Sequence, residues 1–267
     1  MRRFFPLIGF LLLGWLIALP VYAGQTAVLI HGYWSDGSDW RKLGIVQALQ
    51  LAGWQDAGHA LPYGILPAWG YPNATGNFVY TVTLPAEAPL PVQVSWLGTY
   101  LQGLHARHPD NDLVLVGHSA GGVVARLAMV VTGAPVRTLV TIASPHLGTD
   151  AAELGLEITH SPAGWFLPFL GGNTLLRSEG LYRDLVREYP GTLLFWLNRQ
   201  SHPEARYISI VRIGVRVGTG DHIVPIYSQD LNYVPALSGK STTISSIGFH
   251  GLQPADGPLL ASVLAEQ

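Results

Sequence analysis

The chain has 267 residues, of which 48% are hydrophobic and 12% are charged, and its formal net charge is −2. This composition supplies one large apolar core and excludes a disordered polypeptide. The near-neutral charge, without any Lys/Arg-rich run, argues against a nucleic-acid partner, and the lack of cysteine excludes disulfides, a thiolate nucleophile and cysteine-ligated metal.

The N-terminus has the pattern of a secretory signal. Two arginines precede an apolar run at residues 4–19, and Val21 and Ala23 occupy the −3 and −1 positions of a cleavage site. We therefore expect residues 1–23 to be a removable signal peptide and residues 24–267 to be one exported domain, either secreted or periplasmic. The apolar run is close to membrane-spanning length, so an uncleaved membrane anchor is the alternative.

Four short apolar runs predict the buried strands of a mostly parallel sheet. Continuous apolar runs of this length are typical of strands that are covered on both faces. They are residues 27–30, 113–116, 139–142 and 207–211. Between the second and third runs, residues 123–131 have the length and apolar content of a buried helix, with Gly133 as its C-cap. Strand, helix and strand at this spacing form a βαβ unit with a right-handed crossover, which makes the sheet parallel.

Two segments interrupt this alternation. Residues 59–91 are dense in Pro, Gly and aromatic side chains, and they predict an excursion over the core that contains one extended stretch at residues 79–84. Residues 151–200 carry mainly helical patterns and an apolar cluster, and we expect them to form a helical cap or lid inserted after the sixth strand. The buried face of an inserted helix would have the same composition. The candidate substrate-binding residues in this cluster are Trp165, Phe166 and Phe169.

Residues 117–121 read Gly-His-Ser-Ala-Gly, which is the pattern of a nucleophile on a sharp turn. The turn is so tight that side chains flanking the serine would collide, which is why both flanks are glycine. Five letters alone are a weak signal. Here they lie between an apolar strand and an apolar helix, so Ser119 is predicted to project from the carboxyl edge of the sheet, where α/β proteins build their sites. Gly122 is expected to let the helix pack close to the strand.

A serine hydroxyl becomes a good nucleophile when a base takes its proton and a carboxylate orients that base. On a turn of this kind the order along the chain is serine, acid, histidine. Asp221 lies in a Gly-rich turn after the fourth run, and His250 is the final histidine and follows the last plausible strand. We predict that these two residues complete a triad with Ser119. The alternatives are Asp150, Asp184 and Asp230 for the acid, and His146, His202 and His222 for the base.

A tetrahedral intermediate also needs backbone donors for its oxyanion. The Ala120 amide, at the start of the helix after Ser119, is the first predicted donor. The Tyr33 amide, in the loop after the first strand, is the second, and Gly32 keeps the approach to it open. His31 is expected to serve the structure of this loop, and His118 to pack or hydrogen-bond beside the site.

Together these motifs resemble the secreted lipases and esterases of the α/β-hydrolase superfamily, over about residues 27–251. The most discriminating block is Pro-His-Leu-Gly at residues 145–148, after the strand that follows the nucleophile. The resemblance implies an α/β-hydrolase fold with a mostly parallel sheet flanked by helices, in one catalytic domain (24–267). It also implies hydrolysis of carboxylic esters, above all of lipids, through an acyl-enzyme on Ser119, without a cofactor. The chain has no cysteine and no clear calcium-ligand cluster, so the structural metal of some lipases is not carried over.

Three other functions remain open from the sequence. A short-chain carboxylesterase and an acyltransferase, which passes the acyl group to an alcohol other than water, would use the same residues. A ligand-binding protein that keeps the fold without catalysis is the non-enzymatic alternative. The expected partner is a small-molecule or lipid ester, with transient contact with a lipid interface.

Overall fold

The structure, a computed structural model, describes residues 24–68, 75–161, 173–214 and 221–266. In this part of the chain, eight strands form one sheet in the order β3-β2-β4-β1-β5-β6-β7-β8. Strand β3 pairs antiparallel with β2, and the other neighbouring strands pair in parallel. The strands are β1 (Gln25–Ile30), β2 (Gln55–Leu61), β3 (Gly64–Leu66), β4 (Phe78–Val82), β5 (Asp112–His118), β6 (Val136–Ile142), β7 (Arg206–Ile213) and β8 (Ser241–Ile247).

Helices cover both faces of this sheet, as the continuous apolar strands require. Helices α3 and α4 pack with the inserted helices on one face, and α2 and α10 pack together on the other. The helices are α1 (Asp39–Lys42), α2 (Ile45–Leu51), α3 (Leu90–Arg107), α4 (Ala120–Thr132), α5 (Asp150–His160), α6 (Asn173–Arg177), α7 (Glu179–Leu185), α8 (Leu193–Leu197), α9 (Ile226–Gln229) and α10 (Asp256–Ala265).

Strand β1 shows how the sequence pattern produces this three-layer arrangement. Every residue of β1 is buried, and its side chains alternate between the two cores. Val28 and Ile30 belong to the core under α3 and α4, whereas Ala27 and Leu29 belong to the core under α2 and α10. The apolar runs that predicted parallel strands therefore mark the centre of the sheet, and the predicted βαβ unit is β5, α4 and β6, with Gly133 as a left-handed C-cap.

The predicted insertion after the sixth strand is confirmed. Helices α5 to α8 lie between β6 and β7 in the chain. Helix α5 begins at an N-cap in which the Thr149 hydroxyl accepts a hydrogen bond from the Ala151 amide at 3.3 Å. Residues 1–23 and the candidate substrate-binding residues Trp165, Phe166 and Phe169 lie outside the described residues. Within the described ranges, no helix is both long and apolar enough to cross a membrane.

The extended stretch predicted at residues 79–84 is confirmed as β4, but the interpretation of its surroundings as an excursion over the core was wrong where the chain forms β3 and β4 of the sheet. Strand β4 lies between β1 and β2 in the sheet, and its five residues are buried. Among the described residues, Pro62 lies in the turn between β2 and β3, whereas Pro67 follows β3 and Pro85, Pro89 and Pro91 follow β4. Gly58 adopts φ +116°, and a Cβ there would lie 2.3 Å from the Leu66 carbonyl oxygen, so a glycine is needed where β3 folds back on β2.

Candidate active site

Ser119 lies on the turn between β5 and α4, at the carboxyl edge of the sheet. Its backbone adopts φ 52° and ψ −129°, a conformation that costs free energy in a residue with a side chain. Both flanking glycines occupy places that a Cβ would overfill. A Cβ at Gly117 would lie 2.4 Å from the Gly122 Cα, and one at Gly121 would lie 2.3 Å from the His31 carbonyl oxygen. The close packing of β5, α4 and the loop after β1 therefore sustains the strained serine.

The structure brings the three predicted triad residues together. His250 Nε2 lies 2.8 Å from Ser119 Oγ, and His250 Nδ1 lies 2.7 Å from Asp221 Oδ2. When Nδ1–H donates to the carboxylate, the Nε2 lone pair faces the serine hydroxyl. An imidazole in this position can act as the base for the Ser119 proton, and a carboxylate in this position can fix its tautomer and orientation.

The Asp221 carboxylate is buried and surrounded by donors. Its Oδ1 accepts hydrogen bonds from the amides of Ile223 (2.9 Å) and Val224 (2.7 Å), and the Gln229 side-chain amide reaches Oδ2 at 3.3 Å. Burial opposes ionisation of this group, but the hydrogen bonds from His250 and the two amides outweigh burial and lower the pKa of Asp221. The carboxylate is therefore ionised at neutral pH. Sequence reasoning missed Gln229, because its role depends on a contact across the α9 turn.

Two polar groups hold the loop that carries His250. The buried His118 ring donates from Nε2–H to the His250 carbonyl oxygen at 2.8 Å. Burial is the main cause, and the nearby His250 a smaller one, that lowers the pKa of His118 to about 3, so its ring is neutral. Arg212 forms a buried ion pair with Asp256 at 2.6 Å and reaches the Gly251 carbonyl oxygen at 3.5 Å. His118 thus hydrogen-bonds beside the site, as expected from the sequence.

The loop after β1 lies directly against the nucleophile. A Cβ at Gly32 would come within 2.9 Å of Ser119 Cβ, so only glycine allows this approach. Tyr33 and Ala120 line the cavity beside Ser119. Ala120 is the first residue of α4, where amide N–H groups have no acceptor within the helix. Both predicted oxyanion donors therefore belong to the immediate surroundings of the serine hydroxyl.

His31 braces this loop, which is the structural role expected for it. Its Nδ1–H donates to the Gly32 carbonyl oxygen at 2.9 Å, and its Nε2 accepts from the Leu84 amide at 2.9 Å. Burial lowers the pKa of His31 and keeps the ring in the neutral form that can both donate and accept.

The alternative acids and bases bond elsewhere, and His222 is an exposed neighbour of Asp221. Their partners are Arg187 for Asp150, the Leu90 amide for Asp184, the Asn232 amide for Asp230, Thr141 for His146 and the Gln200 carbonyl for His202. The geometry therefore favours Asp221 and His250 over the other candidates.

A cavity of about 320 Å³ opens beside Ser119 and His250. Its walls are mainly apolar side chains of the inserted helices and of the turn after Asp221. They include Leu154, Ile158, Leu175, Leu181, Leu185 and Val224. A concave apolar site with a few polar groups at one place is typical of small-molecule binding. Within the described ranges, no cluster of His, Asp or Glu could hold a metal ion, and the expectation that no metal or cofactor is needed stays a prediction.

Fold and site together define the class of protein. A mostly parallel eight-stranded sheet carries a serine on the turn after β5, an acid in the turn between β7 and α9, and a histidine just after β8. This is the α/β-hydrolase fold, with its serine, acid and histidine in the chain order typical of that fold.

Comparisons with known proteins confirm this fold. The family described as PGAP1-like alpha/beta domain matches residues 96–157. Lipase BlEst2 of Bacillus licheniformis, in its mature form, is similar with a TM-score of 0.59 at 15% identity, over 93% of each chain. The lin2722 gene product of Listeria innocua has a TM-score of 0.60 at 16% identity, over 91% of this chain and 94% of that one. A thermostable carboxyl esterase from Bacillus coagulans has a TM-score of 0.54 at 11% identity, over 91% and 90%.

No curated protein matches the chain in sequence. At identities of 11–16% the structural similarity establishes the fold, and the resemblance to α/β-hydrolase lipases and esterases is confirmed at that level. The chemistry of this chain must be argued from its own site.

Proposed function

We propose that the protein is a serine hydrolase that cleaves carboxylic esters with apolar acyl groups, through an acyl-enzyme on Ser119. The observation that carries this proposal is the 2.8 Å contact between His250 Nε2 and Ser119 Oγ beside an apolar cavity. A base within hydrogen-bond reach of a strained, glycine-flanked serine is the arrangement that activates a hydroxyl nucleophile.

In the proposed reaction, His250 takes the Ser119 proton as the serine oxygen attacks the ester carbonyl. The ionised Asp221 stabilises the imidazolium, and the amides of Tyr33 and Ala120 bind the oxyanion. His250 then gives its proton to the leaving alcohol, which leaves the acyl group on Ser119. A water molecule, deprotonated by the same imidazole, releases the carboxylic acid and restores the serine.

The surroundings of the cavity support a lipid ester as the substrate. Apolar walls from α5 and α7 suit an acyl chain, which burial in such a cavity favours. Trp34, Leu154 and Ile223 line the same cavity and are 71%, 56% and 44% exposed. Exposed apolar side chains around a cavity mouth are the surface that binds another apolar surface, so we further propose transient contact with a lipid interface.

The test is hydrolysis of p-nitrophenyl esters from acetate to palmitate, with and without dispersed lipid. Ser119→Ala is expected to fold as the wild type does and to lose several orders of magnitude in kcat, because the nucleophile is gone. Ser95→Ala, an exposed serine on α3, is the matched control and should keep full activity. Labelling by a fluorophosphonate, which reacts with activated serines, provides a second readout.

The outcomes separate the candidate functions. Ser119-dependent turnover that rises with chain length and with dispersed lipid supports a lipid ester hydrolase, whereas turnover confined to short chains indicates a short-chain carboxylesterase. Labelling of Ser119 without hydrolysis indicates an acyltransferase. The absence of both labelling and turnover would overturn the proposal. It would indicate a ligand-binding protein with the hydrolase fold.

A further inference from the structure

A pair of tyrosine hydroxyls joins the loop after β1 to the inserted helices. Tyr33 Oη lies 2.6 Å from Tyr182 Oη in α7, across a sequence separation of 149 residues. The two rings meet edge to face, with centroids 5.6 Å apart and an interplanar angle of 87°. Tyr33 carries one of the two predicted oxyanion amides, so this contact connects the insertion to the reacting centre.

The Tyr182 end of this contact is rigid. The residue is 6% exposed, and its ring lies against Gly155 of α5, where an added Cβ would come within 2.8 Å of a ring atom. Burial, together with the hydrogen bond to Tyr33, raises the pKa of Tyr182. The hydroxyl therefore stays protonated over the working pH range, fixed by the packing of α5 against α7.

The Tyr33 end is under backbone strain. The next residue, Trp34, adopts φ 54°, a left-handed conformation that is rare for a large side chain. Trp34 is 71% exposed, so burial of its own side chain contributes little to offset the strain. Its ring stacks on Tyr33 at a centroid distance of 5.1 Å. Strained backbone persists where surrounding contacts hold it, and the bond from Tyr33 to the buried Tyr182 is one such contact.

We propose that Tyr182 is a positioning residue, which holds the Tyr33 amide in place for the oxyanion by bonding the Tyr33 hydroxyl. This inference rests on the proposed function and deepens it, because it makes the insertion part of the oxyanion site. The bond between the two tyrosine hydroxyls positions the Tyr33 amide, which donates to the ester oxygen when negative charge develops there in the transition state. Its loss should therefore lower kcat and leave KM nearly unchanged.

Tyr182→Phe is the appropriate change, since it keeps the ring against Gly155 and removes the hydroxyl alone. A neutral hydrogen bond has a net free energy of about 0.5 to 1.5 kcal/mol, so kcat should fall by about 2- to 13-fold. Tyr33→Phe removes the same bond from the other side. If the bond is the cause, the double variant should lose no more activity than either single variant.

The experiment compares the wild type, both single variants and the double variant for kcat and KM on p-nitrophenyl butyrate. It also measures their affinity for an alkyl boronic acid, which forms a tetrahedral adduct with the serine. Boronate affinity should fall by the same factor as kcat. Tyr207→Phe is the matched control: its hydroxyl donates to the Pro203 carbonyl at 2.6 Å, near the amino end of β7 and away from the site, and its kinetics should match the wild type.

Additive losses in the double variant would overturn the inference, as would a higher KM with unchanged kcat, which marks a direct substrate contact. Wild-type kinetics in Tyr182→Phe would overturn it as well. In each case Ser119-dependent turnover of the wild type would leave the proposed hydrolase function standing. A wild type without such turnover refutes the proposed function itself, so the two failures are distinguishable.

Discussion

Replacing Gly32 with alanine should disable the oxyanion site while leaving the triad residues unchanged. The new Cβ would lie 2.9 Å from Ser119 Cβ and 3.1 Å from the His118 carbonyl oxygen. Carbon atoms pack best at about 3.5 to 4.0 Å, so the loop after β1 must move by about half an ångström or more. Because the adjacent Tyr33 amide moves with it, the bond to the oxyanion lengthens. Complete loss of one such donor costs about 10²- to 10³-fold in kcat, and we expect a loss of about 10- to 100-fold for this displacement.

The assay is kcat and KM on p-nitrophenyl butyrate, with the free energy of unfolding measured in urea to separate activity from stability. Gly103→Ala is the control. It lies in α3, and an added Cβ there has no atom within 4 Å beyond its chain neighbours and the backbone of its own helix. Alanine in a helix should raise stability by about 1 kcal/mol and leave kcat unchanged. A Gly32→Ala enzyme with wild-type kcat would refute the reasoning, since it would show that the loop after β1 delivers no oxyanion donor.

Two further predictions concern stability. Burial lowers the pKa of several histidines, and the most deeply buried of them are His31, His118 and His146. Below the ordinary histidine pKa of about 6.5, the unfolded chain binds protons at these residues and the folded chain does not. As the pH is lowered, the free energy of unfolding should therefore decrease by up to about 1.4 kcal/mol per pH unit for each histidine. For His118 this continues to about pH 3; urea denaturation that gives constant stability from pH 7 to pH 4 would contradict it. In the same assay, Asp256→Ala should lower the free energy of unfolding by about 3 to 5 kcal/mol, because it leaves the Arg212 charge buried without its partner. The control is Asp112→Ala, which breaks an exposed pair with Arg137 and should lower it by roughly 0 to 1 kcal/mol. An effect of Asp256→Ala no larger than that of the control would refute the argument.

Four central strands were predictable from sequence, whereas the place of β4 in the sheet and the strand β2 near its edge were not. Strands β1, β5, β6 and β7 are covered on both faces and therefore read as continuous apolar runs. Strand β2, with the sequence Gln-Asp-Ala-Gly-His-Ala-Leu, lies near the edge of the sheet and is partly exposed. Its polar side chains have partners outside the strand: Asp56 pairs with Arg41 of α1, and His59 bonds Thr81 of β4 at 2.7 Å. A pattern set by tertiary contacts has no period that a sequence window detects.

Some residues of the candidate site were likewise predictable from sequence, and others were not. The meeting of Ser119, Asp221 and His250 was predictable because each follows a strand end and because the α/β-hydrolase fold has the order serine, acid, histidine along the chain. Gln229 and Tyr182 were missed. Gln229 bonds the Asp221 carboxylate, and Tyr182 bonds the Tyr33 hydroxyl and lines the cavity. Both lie in helices whose residue types carry no chemical pattern. Positioning residues of this kind become visible when the packing that brings them to the site is known.

The Pro-His-Leu-Gly block at residues 145–148 contains no predicted triad residue, and its contacts show why it nevertheless indicated the fold. Its residues bond Ser228, which lies in α9 one turn beyond the Asp221 loop. The Ser228 carbonyl accepts from the His146 amide at 2.8 Å, while its hydroxyl accepts from the Leu147 amide at 3.1 Å and donates to the Gly148 carbonyl at 2.7 Å. The block therefore fixes the turn that carries the acid.

The same block also directs the chain into the insertion. Gly148 adopts φ +92°, and a Cβ there would lie 2.3 Å from the Val186 carbonyl oxygen just after α7. The next residue, Thr149, N-caps α5 and donates from its hydroxyl to the Ile223 carbonyl, beside Asp221. One short segment thus positions the acid on one side and the cavity wall on the other. A substitution at Gly148 would disturb both at once, which is why this glycine is as constrained as those that flank the nucleophile.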